Sequence, residues 1–172
     1  MKKIVLVGYM GSGKSTIGKL LAQNLGILFL DLDDVIAENQ KMSISQIFKI
    51  KGEIYFRNIE SKLFQSLAQS DQNFVLALGG GTPCYANNHL LLQDSNCQSF
   101  YLQTKMETLV QRLTIEKENR PIIAQLSDSE LIAFVGQHLL ERNYYYRFSK
   151  HTINTDGLSS TDIAQKINSE IM

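Results

Sequence analysis

Short, nearly continuous apolar runs alternate along this chain with longer stretches in which apolar residues recur every three or four positions. Ile4–Val7, Ile27–Leu30, Phe74–Leu78 and Ser99–Leu102 are of the first kind and predict strands, with Thr152–Asn154 as a shorter fifth. Lys14–Leu25 is of the second kind, with Ile17, Leu20, Leu21 and Leu25 on one helical face and Gly26 placed to end it. A helical stretch follows from about residue 34 to residue 70, broken near Lys41-Met42 and again at Gly52. Thr104-Lys105-Met106-Glu107 and Ser127-Asp128-Ser129-Glu130 have capping-box spacing and predict two more helix starts, the second helix running to about Phe148. Ser160–Ile171 reads as a final amphipathic helix. Between them, Thr114–Leu126 contains Pro121 and has no helical period, so an irregular loop is expected there.

Strands alternating with helices predict a parallel sheet covered on both faces. In such sheets ligands bind beyond the carboxyl ends of the strands, which makes the short sequences at those ends the place to look for chemistry.

The first strand runs into Gly8-Tyr9-Met10-Gly11-Ser12-Gly13-Lys14-Ser15, which fills the pattern Gly, four residues, Gly-Lys-Ser. Glycines let consecutive N–H groups turn inward as an anion nest, and the helix that follows adds its positive end. In such a loop the lysine reaches the β- and γ-phosphates and the serine hydroxyl ligates Mg²⁺. Gly11, Ser12, Gly13, Lys14, Ser15 and Thr16 are therefore the expected ATP-phosphate ligands. The second strand ends in Asp31-Leu32-Asp33. An extended backbone there would put both carboxylates on one side, one to hold Mg²⁺ through water and one to bind or deprotonate a hydroxyl. Simple capping of the next helix by Asp33 or Asp34 is the competing reading. The third strand ends in Gly79-Gly80-Gly81, either a loose turn or a place where backbone must come close to a ligand. Arg57 and Glu60 lie three apart on a helix and can pair, as a surface bridge or as part of a site. Arg120-Pro121 sits in the irregular stretch, where a mobile lid could bring a cation to the phosphates.

Composition narrows the function classes. The chain has 172 residues, with 17 Lys+Arg against 17 Asp+Glu, so its balanced charge speaks against a nucleic-acid-coating surface or a polybasic membrane anchor. Cys84 and Cys97 lack metal-ligand spacing and read as reduced thiols. The short first apolar run opens straight into the glycine loop and resembles no signal peptide, so a cytoplasmic protein is expected. A guanine-reading Asn-Lys-x-Asp segment is absent from the sequence, against a GTP-dependent switch.

Taken in order, Gly8–Thr16, Leu30-Asp31-Leu32-Asp33, Ser43-Ile44…Ile47-Phe48, Gly52-Glu53…Phe56-Arg57-Asn58-Ile59-Glu60, Leu78–Gly81, Arg120-Pro121-Ile122-Ile123 and Glu141-Arg142-Asn143…Tyr146 resemble the shikimate kinase family of P-loop kinases. The resemblance spans nearly the whole chain. It implies one domain over residues 1–172, a three-layer α/β nucleoside-monophosphate-kinase-like fold, and a five-stranded parallel sheet of order 2-3-1-4-5. The implied reaction is transfer of the ATP γ-phosphate to the 3-hydroxyl of shikimate, with Mg²⁺, by a monomer without nucleic-acid or membrane partners. Carried over by position, Lys14, Asp33 and Arg120 are the catalytic groups. Ser15 ligates Mg²⁺, with Asp31 acting on it through water, and Arg112 neighbours adenine. Asp33, Arg57, Gly80, Gly81 and Arg142 bind shikimate, Glu60 orients Arg57, and Ile44, Phe48 and Phe56 form an apolar wall. The substrate-binding helices fall at about 33–60 and the lid at about 114–126. Departures from the family pattern include Arg-Pro-Ile-Ile in the lid, Asn143-Tyr144-Tyr145-Tyr146 on the late helix and Lys41 at a position often held by glycine. The Thr155-Asp156-Gly157 loop, near the expected adenine site, lacks an arginine found in some members.

Overall fold

Strands β1 (Lys3–Val7), β2 (Leu28–Asp31), β3 (Phe74–Ala77), β4 (Cys97–Gln103) and β5 (His151–Asn154) form one parallel sheet in the order β2-β3-β1-β4-β5. The computed structural model describes residues 3–120 and 122–171; Pro121 of the expected lid lies outside them, as does the side chain of Asn119. The sheet order is the one the resemblance implied.

Alternation along β1 divides the apolar interior in two. Ile4 and Leu6 face a layer made by α1 (Lys14–Leu25) and α7 (Ser160–Glu170), where Ile17, Leu21, Ile163 and Ile167 are buried. Val5 and Val7 face the opposite layer, made by α2 (Leu32–Gln40), α3 (Ile44–Gln69), α5 (Met106–Glu116) and α6 (Asp128–Tyr146). A single turn, α4 (Asn88–Leu91), completes that side. Gly18 lets α1 lie tight on β2, since a Cβ there would meet the Phe29 ring at 2.5 Å. Among the described residues no helix is long and apolar enough to cross a membrane.

Register brings the strand ends level. Asp31 is opposite Ala77, and Ala77 is opposite Leu6, so the segments leaving β1, β2 and β3 emerge side by side. The expected break at Gly52 is present as a non-helical residue with φ 81° inside α3. Lys41 ends α2 in the left-handed conformation at φ 53°, a backbone state that glycine adopts more readily.

Several local expectations differ from the fold. The Thr104 capping box is not made: Lys105 is the cap residue, without a side-chain bond, and Thr104 turns inward to Thr155 Oγ1 at 2.7 Å. The Ser127–Glu130 box is present in full. α5 continues through Glu116 into a 3-10 turn at Lys117–Asn119, so the first part of the expected loop is helical. β4 starts two residues before Ser99, at Cys97, and α6 ends at Tyr146. A short 3-10 turn at Thr82–Cys84, unseen in the sequence pattern, follows the glycine triplet.

Candidate active site

The glycine loop lies between β1 and α1. Gly11 and Gly13 have φ of +82° and +92°, and Gly13 caps α1 without any side-chain bond, which leaves the first N–H groups of the helix facing outward. Lys14 spans the loop, its Nζ donating to the carbonyls of Gly8 at 2.8 Å and Tyr9 at 3.0 Å. Burial pushes this ammonium down to about 8, with Arg120 and Arg142 adding to the effect and Asp31 and Asp33 opposing it. Arg112 reaches the same loop from α5, donating to Gly11 O at 2.9 Å.

Asp31 and Asp33 do converge on the loop, although not through an extended Asp-x-Asp. Asp31 ends the strand in extended conformation and caps α2, its Oδ1 accepting the Asp33 N–H at 3.1 Å; Asp33 is already in the first helical turn. The capping residue is thus Asp31, and not Asp33 or Asp34. The second oxygen of Asp31 accepts from Ser15 Oγ at 2.9 Å. Asp33 is pushed up to about 6 by burial, and by the carboxylates of Asp31 and Glu60, against Lys14 and Arg57.

Arg57 and Glu60 are joined at 2.8 Å, and the pair is no surface bridge: the Glu60 side chain is 1% exposed. Its other oxygen accepts from Thr82 Oγ1 at 2.6 Å, a partner supplied by the turn after the glycine triplet. Arg57 is further held between Phe56 and Tyr85, its guanidinium carbon 5.1 and 4.3 Å from their ring centres. Burial opposes the charge on Arg57, but Glu60, with smaller help from Tyr85 and Glu53, offsets it and holds the group above its ordinary value.

Arg142 lies over the Tyr9 ring at 5.5 Å. The triplet glycines let both arginines approach: a Cβ on Gly80 would be 3.4 Å from Arg142 Nη1, and one on Gly81 would be 2.9 Å from Arg57 Nη2. Tyr146 donates its hydroxyl to Gly80 O and fixes that turn.

These residues enclose two cavities. One, of about 590 Å³, is lined by the glycine loop, Thr16, Asp31, Arg112 and Arg120, and reaches Leu158, Ser160 and Ile163 at its far end. The other, of about 370 Å³, is lined by Ile44, Phe48, Phe56, Arg57, His138 and Arg142, with Gly81 and Ile122. Met10, Asp33, Gly79, Gly80 and Arg120 line both. The first cavity offers cations and N–H groups to a polyanion. The second pairs an apolar wall with two guanidinium groups, a combination suited to a small carboxylic acid. Arg120 is bound to Glu116 Oε2, with Nε at 3.0 Å, and so stands at the junction.

The donor set at Ser15 and Asp31 fits Mg²⁺. Both are hard oxygens lining the cavity beside the glycine loop, and Mg²⁺ takes one or two protein oxygens while keeping waters and phosphate oxygens for the rest.

Every residue that the sequence singled out for substrate or phosphate lies on one of the cavities or in direct contact with a lining residue. Others were missed. Thr82, Tyr146, Tyr9 and His138 join the site through contacts across 22 to 129 positions of sequence. At the expected adenine end, Asp156 is occupied with the Lys105 N–H and the Thr108 hydroxyl, and the lining comes from residues just beyond it, Leu158 and Ser160.

A family model described as shikimate kinase matches residues 10–172. A shikimate kinase of Flavobacterium psychrophilum is 48% identical over 167 residues, 97% of each chain. Among solved structures, the shikimate kinase of Bacteroides thetaiotaomicron superposes with a TM-score of 0.91 at 32% identity, covering 99% of this chain and 98% of that one. The shikimate kinase of Acinetobacter baumannii, solved in complex with shikimate, does so with a TM-score of 0.87 at 35% identity, covering 99% and 93%.

Proposed function

The chain belongs to the shikimate kinase family, and from that premise we propose how its residues transfer the γ-phosphate of ATP to the 3-hydroxyl of shikimate. The observation that carries the reading is the junction. A polyanion cavity and a carboxylate-selecting cavity meet at Asp33, Gly80 and Arg120, so a donor phosphate and an acceptor hydroxyl would be brought face to face.

Phosphoryl transfer asks for positioning and charge neutralisation more than for covalent chemistry. The loop N–H groups of Gly11 to Thr16 cradle the phosphates, and Lys14 leaves its carbonyl partners for the β- and γ-oxygens. Ser15 and, through water, Asp31 would hold Mg²⁺, and the ion would supply charge neutralisation at the phosphates. Arg57 and Arg142 bind the shikimate carboxylate from two elements, while Ile44, Phe48 and Phe56 cover the carbon ring. Asp33, with its raised affinity for a proton, accepts a hydrogen bond from the reacting hydroxyl and takes its proton as the phosphoryl group arrives. Gly80 and Gly81 offer backbone to the acceptor. Arg120 comes down onto the transferring group with a lid that begins after α5, at about residue 117, and not at 114, and Arg112 steadies the loop on the adenine side. We also propose that it acts as one domain and a cytoplasmic monomer; its balanced charge supports the absence of nucleic-acid and polybasic membrane contacts.

The test is an ADP-release assay with shikimate, with gluconate and with no acceptor, and with the product identified by NMR. Turnover only with shikimate, giving the 3-phosphate, is expected. Equal turnover with gluconate, or ADP release independent of acceptor, would sink the reading.

A further inference from the structure

The proposed transfer leaves His138 without a role. It lines the acceptor cavity one helical turn before Arg142 on α6, so the two side chains share a face. Its ring rests on Phe134 at 4.2 Å, and its Nδ1 is 2.9 Å from the hydroxyl of Tyr9 in the glycine loop.

That contact decides where the imidazole carries its proton. Tyr9 is 1% exposed and its phenol is pushed up to about 12 by burial, so the hydroxyl keeps its proton and needs an acceptor. Among the described residues the only acceptor placed for it is His138 Nδ1. Were Nδ1 protonated, it would donate to the phenol oxygen and the buried hydroxyl hydrogen would be left without an acceptor, at a cost comparable with a lost hydrogen bond. Burial and the nearby Arg142 also lower the proton affinity of the ring, against Glu141. The imidazole is thus neutral, with its hydrogen on Nε2 and its acceptor side taken.

We propose that His138 is a substrate-binding residue, donating Nε2–H to an oxygen of the acceptor, and that Tyr9 positions it by holding Nδ1. The inference rests on the shikimate kinase reading above. Two arginines select a carboxylate by charge but read poorly how the hydroxyls around a ring are arranged. A neutral, directional donor on the same face supplies that selectivity, because a site built to bond an oxygen discriminates against an acceptor that does not present it.

The two amide substitutions separate the two nitrogens. His138→Gln places an N–H near the Nε2 position; His138→Asn places an oxygen near Nδ1, keeping the Tyr9 bond but losing the donor. Steady-state kinetics of the full chain should give a shikimate KM about tenfold higher in His138→Asn, with kcat and the ATP KM within about twofold of wild type. His138→Gln should return the shikimate KM to within about threefold. Tyr9→Phe should raise it by an intermediate factor in the wild type and add nothing in the His138→Asn background. A wild-type shikimate KM in His138→Asn, a His138→Gln variant as impaired as His138→Asn, or Tyr9 and His138 effects that multiply independently would each overturn the inference alone. A wild-type enzyme that does not phosphorylate shikimate would overturn it together with the reading beneath it.

Discussion

The Cβ that Gly81 lacks would stand 2.9 Å from Nη2 of Arg57. Arg57 cannot easily yield, since Glu60 holds its Nη1 at 2.8 Å and Phe56 and Tyr85 flank its plane. Gly81 itself has φ −96°, so its requirement is for space and not for an unusual backbone. Gly81→Ala should therefore raise the shikimate KM by about 30–150-fold, in line with roughly 2–3 kcal/mol for a displaced charged partner, and leave the ATP KM nearly unchanged. Gly80→Ala, facing Arg142 at 3.4 Å, should do less. Steady-state kinetics with each substrate varied in turn checks both.

Glu60 is a structural counter-ion before it is anything else. Glu60→Ala would leave the largely buried Arg57 unpaired and Thr82 Oγ1 without its acceptor. A loss of about 3–5 kcal/mol is expected by urea denaturation, against about 1 kcal/mol for Thr82→Val. Equal effects from the two would mean that the ion pair is not the centre of that network.

The pH profile should have two limbs set by the junction. Asp33 must be ionised to accept the hydroxyl proton, and its affinity is raised to about 6, so kcat/KM for shikimate should fall as pH drops through about 6. Lys14 must be charged to meet ATP, and its value is lowered to about 8, so kcat/KM for ATP should fall as pH rises through about 8. The alkaline limb of kcat should lie higher, because bound phosphates favour the charged ammonium. Asp33→Asn should lower the rate and erase the acid limb.

The same carboxylate carries a stability prediction of definite sign. A carboxyl whose folded value is raised takes up a proton in the native state before the unfolded chain does. Its contribution to stability is then best at low pH, declines as pH rises from about 4 to about 6, and stays unfavourable above. Asp33→Asn should thus stabilise the protein by about 2–3 kcal/mol near pH 8, and the gain should largely vanish near pH 4. Thermal melts of both proteins across that range measure it.

Arg120→Ala should lower kcat by about 10²–10³-fold while changing the ATP KM only slightly, because the charge matters most once the phosphoryl group is in transit. Amide exchange gives a second check. Residues 114–116 are helical and should be protected from the start, whereas exchange from Lys117 to Leu126 should be fast in the free protein and slow on adding ADP with shikimate. Full protection of that later stretch without ligands would mean a fixed loop.

What was legible in the sequence followed from backbone rules. The glycine loop could be read because its function requires particular residues at particular spacing. The sheet followed from alternating periods, and its strand order from the family resemblance. What stayed hidden depended on partners far along the chain. Thr104 and Glu107 satisfy a capping pattern, yet Thr104 is drawn to Thr155, 51 positions away, and the cap is lost. The Asp-x-Asp spacing points both carboxylates to the loop, but an extended backbone is not how they get there, since a capping bond turns the chain helical at Leu32. The spacing of Arg57 and Glu60 announced a pair, but only the position of Thr82 reveals that the pair is buried.

The shared wall between the two cavities has a use in ligand chemistry. Gly80 lines both cavities, and the Cβ it lacks would sit 3.6 Å from both Gly8 O and Met10 N, so bare backbone leaves a gap where they meet. A single molecule tethering an adenine nucleotide to a hydroxylated cyclohexene acid could thread that gap and occupy both chambers at once. Joining the halves raises the local concentration of the second to the millimolar range when the spacer matches the span, and forfeits the gain entirely when it does not.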